Sequence, residues 1–174
     1  GMVAEYEKQV IGFMLYELHK TIIHVFNFAV HPNYRRNGVG SQMIAKLTGL
    51  IDSLGTNHVI IDVNGVGYLV YASSRTLARI GSAKGTPVSL LIETHVREDQ
   101  ITLYGFADAA EKEWYLILCT VQGVGAKVAQ SILGAIPAEQ LPVVIASQDK
   151  TALRQADGVG EKLAVRIVTE LKEK

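Results

Sequence analysis

VQGVGAKVA (Val121–Ala129) and ADGVGEKLA (Ala156–Ala164) are near copies set 35 positions apart. Each places Gly-Val-Gly ahead of a lysine and then runs into an apolar helical pattern. Glycine tolerates the positive φ of a tight turn, and a helix begins with unpaired N–H groups at the positive end of its dipole. Such a helix start accepts an anion, with Lys127 or Lys162 adding charge. One glycine turn before a helix is common and need only reverse the chain. Two matched turns, each preceded by another helical stretch, point instead to tandem helical hairpins carrying a pair of phosphate grips. That arrangement suits a nucleic-acid backbone better than a single nucleotide.

The helical pattern extends to both sides of these copies. Asp108 is a candidate N-cap, and Glu111 three residues later completes a capping box. Helices are predicted over 127–133, 138–147, 150–156 and 161–172, with Pro137 and Pro142 near helix starts, where proline is tolerated. Trp114, Tyr115 and Leu118 read as helix packing rather than base stacking. Ahead of Gly105-Phe106 the period changes to that of strands. Val59–Val63, an Asn64-Gly65 turn and Tyr68–Tyr71 form one strand pair; Val88–His95 and Gln100–Tyr104 are further strands, with residues 96–99 at the tip between them. Leu77–Ile80 is a short helix. Several short strands with glycine-bearing turns predict a small antiparallel barrel.

Earlier still, Val10–Glu17 and Thr21–Val30 are rich in β-branched and aromatic residues and read as a hairpin. A polar, glycine-bearing loop follows over 31–40. Met43, Ile44, Leu47, Leu50, Ile51 and Leu54 then recur with a helical period, which Gly49 weakens.

Bulk properties narrow the function. With 174 residues, one or two domains and a real core are expected. The formal net charge is zero, which excludes a uniformly basic coat and leaves a local patch or backbone N–H groups for any nucleic-acid contact. Cys119 is the sole cysteine, so no internal disulfide forms, and its apolar surroundings read as packing. His19, His24, His31, His58 and His95 are scattered, and none has metal-ligand spacing with Cys119. No Gly-x-x-x-x-Gly-Lys-Ser/Thr loop is present, so the chain is not expected to be an ATPase. No stretch is long and apolar enough to span a bilayer and no signal pattern opens the chain, so a cytoplasmic, reducing setting is expected.

From about Met43 onward the chain resembles the RuvA family, which binds four-way Holliday junctions. The matching segments are 43–49 (MIAKLTG), 61–68 (IDVNGVGY), 96–99 (VRED), 103–106 (LYGF), 123–127 (GVGAK), 158–162 (GVGEK) and 168–172 (VTELK). The resemblance implies an OB-fold barrel, two helix-hairpin-helix motifs and a flat tetramer on which junction DNA is laid. It implies DNA contacts at Gly123, Gly125, Lys127, Gly158, Gly160 and Lys162. Arg166, one turn beyond Lys162 on the same face, is expected to reach a neighbouring phosphate or to be a solvated helix charge. Glu98 and Asp99 would ordinarily be a soluble turn; the resemblance makes them an acidic pin that repels phosphates and steers duplex arms apart. With no nucleophile or metal cluster beside them they are not read as acid and base, and no catalytic or metal-binding residue is assigned. Two departures stand out: Ala126 where many relatives have proline, and Glu161 where many have a basic residue, which weakens the local phosphate field. The family's domain for docking the RuvB motor would begin near Lys174, so junction binding is expected without RuvB coupling.

The first 42 residues have a different character. Phe26–Val30, His31-Pro32 and the run from Arg35 and Arg36 through Gly38 to Gly40 resemble the GNAT acetyltransferase superfamily, in particular RimI-like members. There the resemblance implies acetyl-CoA pyrophosphate held by loop N–H groups at a helix start, although the rest of that fold has no match. The expected organisation is therefore α+β in three parts: a GNAT-like hairpin fragment over 1–42, an OB barrel over 43–106 and an all-α helix-hairpin-helix domain over 107–174. A conflict sits at the join. Residues 43–54 would be helix in an acetyltransferase and the first barrel strand in RuvA. Barrel closure removes unpaired edges and favours strand from Met43; the local period favours helix. If helix forms, His58–Val63 would pair beside Phe26–Val30.

Overall fold

A computed structural model describes residues 2–19, 22–30, 45–96 and 101–172. At the amino end, β1 (Met2–Tyr6), β2 (Gln9–His19) and β3 (Ile22–Val30) form an antiparallel sheet in that order. The predicted hairpin is thus a three-stranded sheet. Its first turn holds Glu7 at φ 50 and Lys8 at φ 65, the two positive φ angles of a hairpin turn usually assigned to Asn-Gly. No glycine marks that turn, which is why β1 is not legible in the sequence.

Five strands close a barrel: β4 (Lys46–Leu54), β5 (His58–Val63), β6 (Val66–Ala72), β7 (Pro87–Val96) and β8 (Ile101–Phe106), in the order β4-β5-β6-β8-β7. Only the β6–β8 contact is parallel, and helix α1 (Ser74–Ile80) lies between β6 and β7 in the chain. This is the five-stranded Greek-key closure of an OB barrel. The conflict at the join resolves as strand from Lys46, while Met43 and Ile44 lie outside the described residues. β4 pairs with both β5 and β7, so closure satisfies two edges that a helix would have left open. Leu47 and Ile51 point into the core while Leu50 is 47% exposed, so the helical spacing of these residues is incidental and the two-residue period prevails. β5 pairs with β4 and β6, not with β3. Asn64 and Gly65 turn the β5–β6 hairpin at φ 54 and 85, as their pairing predicts, and the Asp62 carboxylate accepts from the Gly65 N–H at 2.6 Å.

The helical part comprises α2 (Ala109–Cys119), α3 (Ala126–Ala135), a 3₁₀ turn (Ala138–Gln140), α4 (Leu141–Ala146), α5 (Lys150–Leu153) and α6 (Glu161–Lys172). The helix expected over 138–147 begins as the 3₁₀ turn, with Pro142 in the first turn of α4. Tyr115, Leu118, Ile132, Leu141, Leu153 and Ile167 are fully buried and form one core. Among the described residues no single helix is long and apolar enough to cross a membrane. A pair bent by 86°, Ala126–Ala135 with Ala138–Ala146, is long and apolar enough only when the two are joined, and its residues Ile132, Leu133 and Leu141 are buried in this core.

A polar cluster joins barrel to helices. Asp108 caps α2, accepting from the Glu111 N–H at 3.0 Å, and its carboxylate pairs with Arg79 of α1. Glu111 completes a shifted capping box: its buried carboxylate accepts from the Ala107 N–H at 2.8 Å and from the Thr76 hydroxyl at 2.7 Å. Lys112 reaches β7, donating to the Ile92 carbonyl at 2.7 Å and lying 3.3 Å from Glu93. Replacing Glu111 with alanine leaves the hydroxyl of Thr76, a residue only 1% exposed, and the Ala107 N–H without this acceptor. A loss of about 2–4 kcal/mol in urea unfolding is expected; a parent-like midpoint would remove Glu111 from this role. The N–H bond from Glu111, followed by the Arg79 pairing, holds the Asp108 carboxyl below the usual carboxylate range. A depressed folded value means that the stabilisation is present above the unfolded value and is lost as pH falls through the folded one. Asp108→Asn should therefore flatten the fall in stability below about pH 4, read from melting curves across that range.

Candidate nucleic-acid interface

The two glycine copies fold alike. In the first, the Thr120, Val121 and Val124 N–H groups donate to Ile117, Leu118 and Val121, and the Ala129 N–H donates back to Gly125 at 2.9 Å. In the second, Gln155, Ala156 and Val159 donate to Ala152, Leu153 and Ala156, and Ala164 donates to Gly160 at 2.9 Å. Each bond in one copy has its counterpart 35 residues on. Gly123 and Gly158 occupy the left-handed region at φ 94 and 85, where a side chain would be strained. Val124 and Val159 are both buried, each 6% exposed, and pin the turns to the core.

The following glycines serve a different purpose. Gly125 is the N-cap of α3 and offers no side-chain oxygen to the first-turn N–H groups. Gly160 precedes α6 in the same way. A Cβ built on either would meet nothing within 4 Å, so a ligand has room to approach the backbone. Lys127 and Lys162 are exposed on the first turns, and among the described residues neither forms an ion pair. Open N–H groups with an adjacent cation are the general features by which a helix start accepts an anion.

The turns also pack on each other. A Cβ at Gly123 would lie 3.4 Å from Leu163 Cδ1, and one at Gly158 would lie 3.3 Å from Val128 Cγ2. Val128 and Leu163 are themselves equivalent residues of the two copies, so the contact is reciprocal and the two glycine turns stand side by side. Arg166 lies on α6 one turn beyond Lys162 and extends to the first turn, its guanidinium donating to the Gln122 carbonyl at 3.1 Å, with Glu170 at 3.9 Å. Sequence reasoning passes over Arg154, whose Nη1 lies 2.8 Å from Glu161 Oε2. Residue-by-residue comparison of the copies reveals it, because Arg154 stands where the first copy has Cys119. Burial pushes that partly buried thiol up to about 11, so Cys119 offers no thiolate near neutrality.

Strands β7 and β8 pair as far as Val96 and Ile101; Glu98 and Asp99 fall between them, outside the described residues. Arg35, Arg36, Gly38 and Gly40 also lie outside the described residues.

A closed barrel followed by two reciprocally packed helix-hairpin-helix units defines an OB-barrel protein with a tandem helix-hairpin-helix domain. Residues 43–105 match the RuvA N terminal domain and residues 115–173 match the SAM-like helix-hairpin-helix tandem. The chain is 58% identical over 132 residues to "Holliday junction branch migration complex subunit RuvA" of Paramagnetospirillum magneticum, covering 76% of this chain and 61% of that protein. It is 61% identical to the subunit of the same name from Rhodospirillum centenum and 56% identical to that from Sinorhizobium fredii, each over 76% of this chain and 64% of the relative. The barrel and helices therefore belong to the RuvA family. The chain spans a little under two thirds of the length of these curated relatives. Residues 1–65 match the acetyltransferase (GNAT) family. That match overlaps the RuvA N terminal domain over 43–65, where the structure has the barrel strands β4 and β5.

Proposed function

We propose that this chain binds four-way junction DNA in recombination and repair, selecting structure rather than sequence. The observation that carries the proposal is the pair of open glycine turns, matched in their backbone hydrogen bonds and packed against each other. Backbone N–H groups of Gly125 and Gly160 and of the residues after them grip phosphates, aided by Lys127 and Lys162. Gly123 and Gly158 shape the turns. Arg166 braces the first turn and adds charge there. Such contacts position a duplex without reading its bases. Glu98 and Asp99 form an acidic pin that holds the crossover open. Self-association into a tetramer belongs to the same reading, RuvB being the family's partner rather than one assigned to these residues, and no cofactor is needed for it. A gel-shift titration tests it: four-way junctions should bind more tightly than linear duplex of equal length. Equal affinity would remove junction selectivity, and no affinity would remove DNA binding. The match of residues 1–65 to acetyltransferases supports a second reading, acetyl-CoA binding through Arg35, Arg36, Gly38 and Gly40. A flat calorimetric titration with acetyl-CoA would dispose of it.

A further inference from the structure

The two hairpins share a backbone but not a charge pattern. Comparing the copies, Cys119 becomes Arg154, Gln122 becomes Asp157 and Ala126 becomes Glu161. The first turn carries Lys127 and receives the Arg166 guanidinium from α6. The second carries Lys162 and Arg154 against Asp157 and Glu161, four formal charges that cancel. Glu161 is the first residue of α6, where a carboxylate is attracted to the same N–H groups and dipole end that would hold a phosphate. It is an internal competitor for the site. Its Oε2 instead lies 2.8 Å from Arg154 Nη1, and both changes from the first copy occur together, seven residues apart in the chain.

Resting on the DNA-binding reading above, we propose that Arg154 is a positioning residue for the second phosphate grip: it engages the Glu161 carboxylate, keeping the first turn of α6 open to DNA. The first grip needs no such device, because Ala126 and Cys119 present no competing charge. The hairpins are therefore unequal, one standing open and one dependent on an ion pair. Both partners are about half exposed, at 53% and 57%, so the pair contributes little to folding and its variants should fold as the parent does.

A double-mutant cycle on the full chain tests this, using a synthetic four-way junction as probe and thermal melts as a folding check. Arg154→Ala should weaken binding about two- to fivefold, the scale of one charge at a helix terminus. Glu161→Gln alone should leave affinity within about twofold of the parent, because its charge is already engaged. In the Glu161→Gln background, Arg154→Ala should then have no effect. Arg154→Lys should recover part of the loss. If Arg154→Ala weakens binding equally in both backgrounds, Arg154 acts only as a distant or direct charge and the inference is overturned. It is likewise overturned if Arg154→Ala changes nothing while the parent binds junctions, and the DNA reading then survives. A parent chain with no affinity for the junction sinks both.

Discussion

Replacing both Lys127 and Lys162 with alanine is expected to reduce affinity for four-way DNA by at least about tenfold at near-physiological salt, on the scale of charge-assisted hydrogen bonds. The more specific signature is salt dependence. Each phosphate contact releases about 0.9 counterions from duplex DNA, so the double variant should lose about 1.8 from the slope of log affinity against log salt. Both lysines are exposed and form no ion pair among the described residues, so circular dichroism and melting should not change. Taken singly, Lys127→Ala should cost more than Lys162→Ala, because Asp157 in the second copy already offsets Lys162, whereas the first copy has the neutral Gln122 at that position. An unaltered salt slope would refute the phosphate assignment of both residues.

Gly49→Val should disrupt the barrel. A Cβ at Gly49 would fall 2.2 Å from the Asp62 carbonyl oxygen and 2.9 Å from Ile61 Cγ2. The nearer atom belongs to the backbone of β5 and cannot rotate aside as a side chain would. β4 must then separate from β5, against a ladder that runs through Leu50 and Asp62. A destabilisation of about 3 kcal/mol or more is expected, seen as a lower denaturant midpoint or as loss of the folded state. Gly125→Ala provides the contrast: it has φ −94 and open space around the added carbon, so it should fold normally. A Gly49→Val chain with the parent's midpoint would show that β4 does not approach β5 so closely.

Gly49 also marks where sequence alone reaches its limit. In a helix it is merely a weak residue; in the barrel it permits the close approach of two strands. The apolar residues from Leu47 to Leu54 fit a helical period, yet only Leu47 and Ile51 lie on the buried face of the strand, and β7 decides the outcome through pairing that begins around Pro87, far along the chain. Features with local causes are legible: the Asn64-Gly65 turn, the Asp108 cap and the duplicated glycine turns each carry their reason within a few residues. Glu7-Lys8 is local too but lacks the residues that usually mark such a turn. Helical spacing places Arg166 on the face of Lys162 but does not show its acceptor, Gln122, 44 residues away in the chain. Arg154 gains its significance only from the difference between the copies, whereas their likeness is what draws attention to them. The roles given to Glu98, Asp99 and the loop from Arg35 to Gly40 come from family resemblance, since an acidic turn or a glycine-bearing loop has too many ordinary explanations.

The central claim is that two equivalent loop-to-helix turns hold phosphates through backbone N–H groups. Amide NMR of the ¹⁵N-labelled chain, titrated with four-way DNA, tests it most directly. The amides of Gly125, Ala126 and Lys127 and those of Gly160, Glu161 and Lys162 should shift or broaden as two linked sets, the first at lower DNA concentration. Perturbation confined to other surfaces, with both sets unmoved at saturation, would contradict the account.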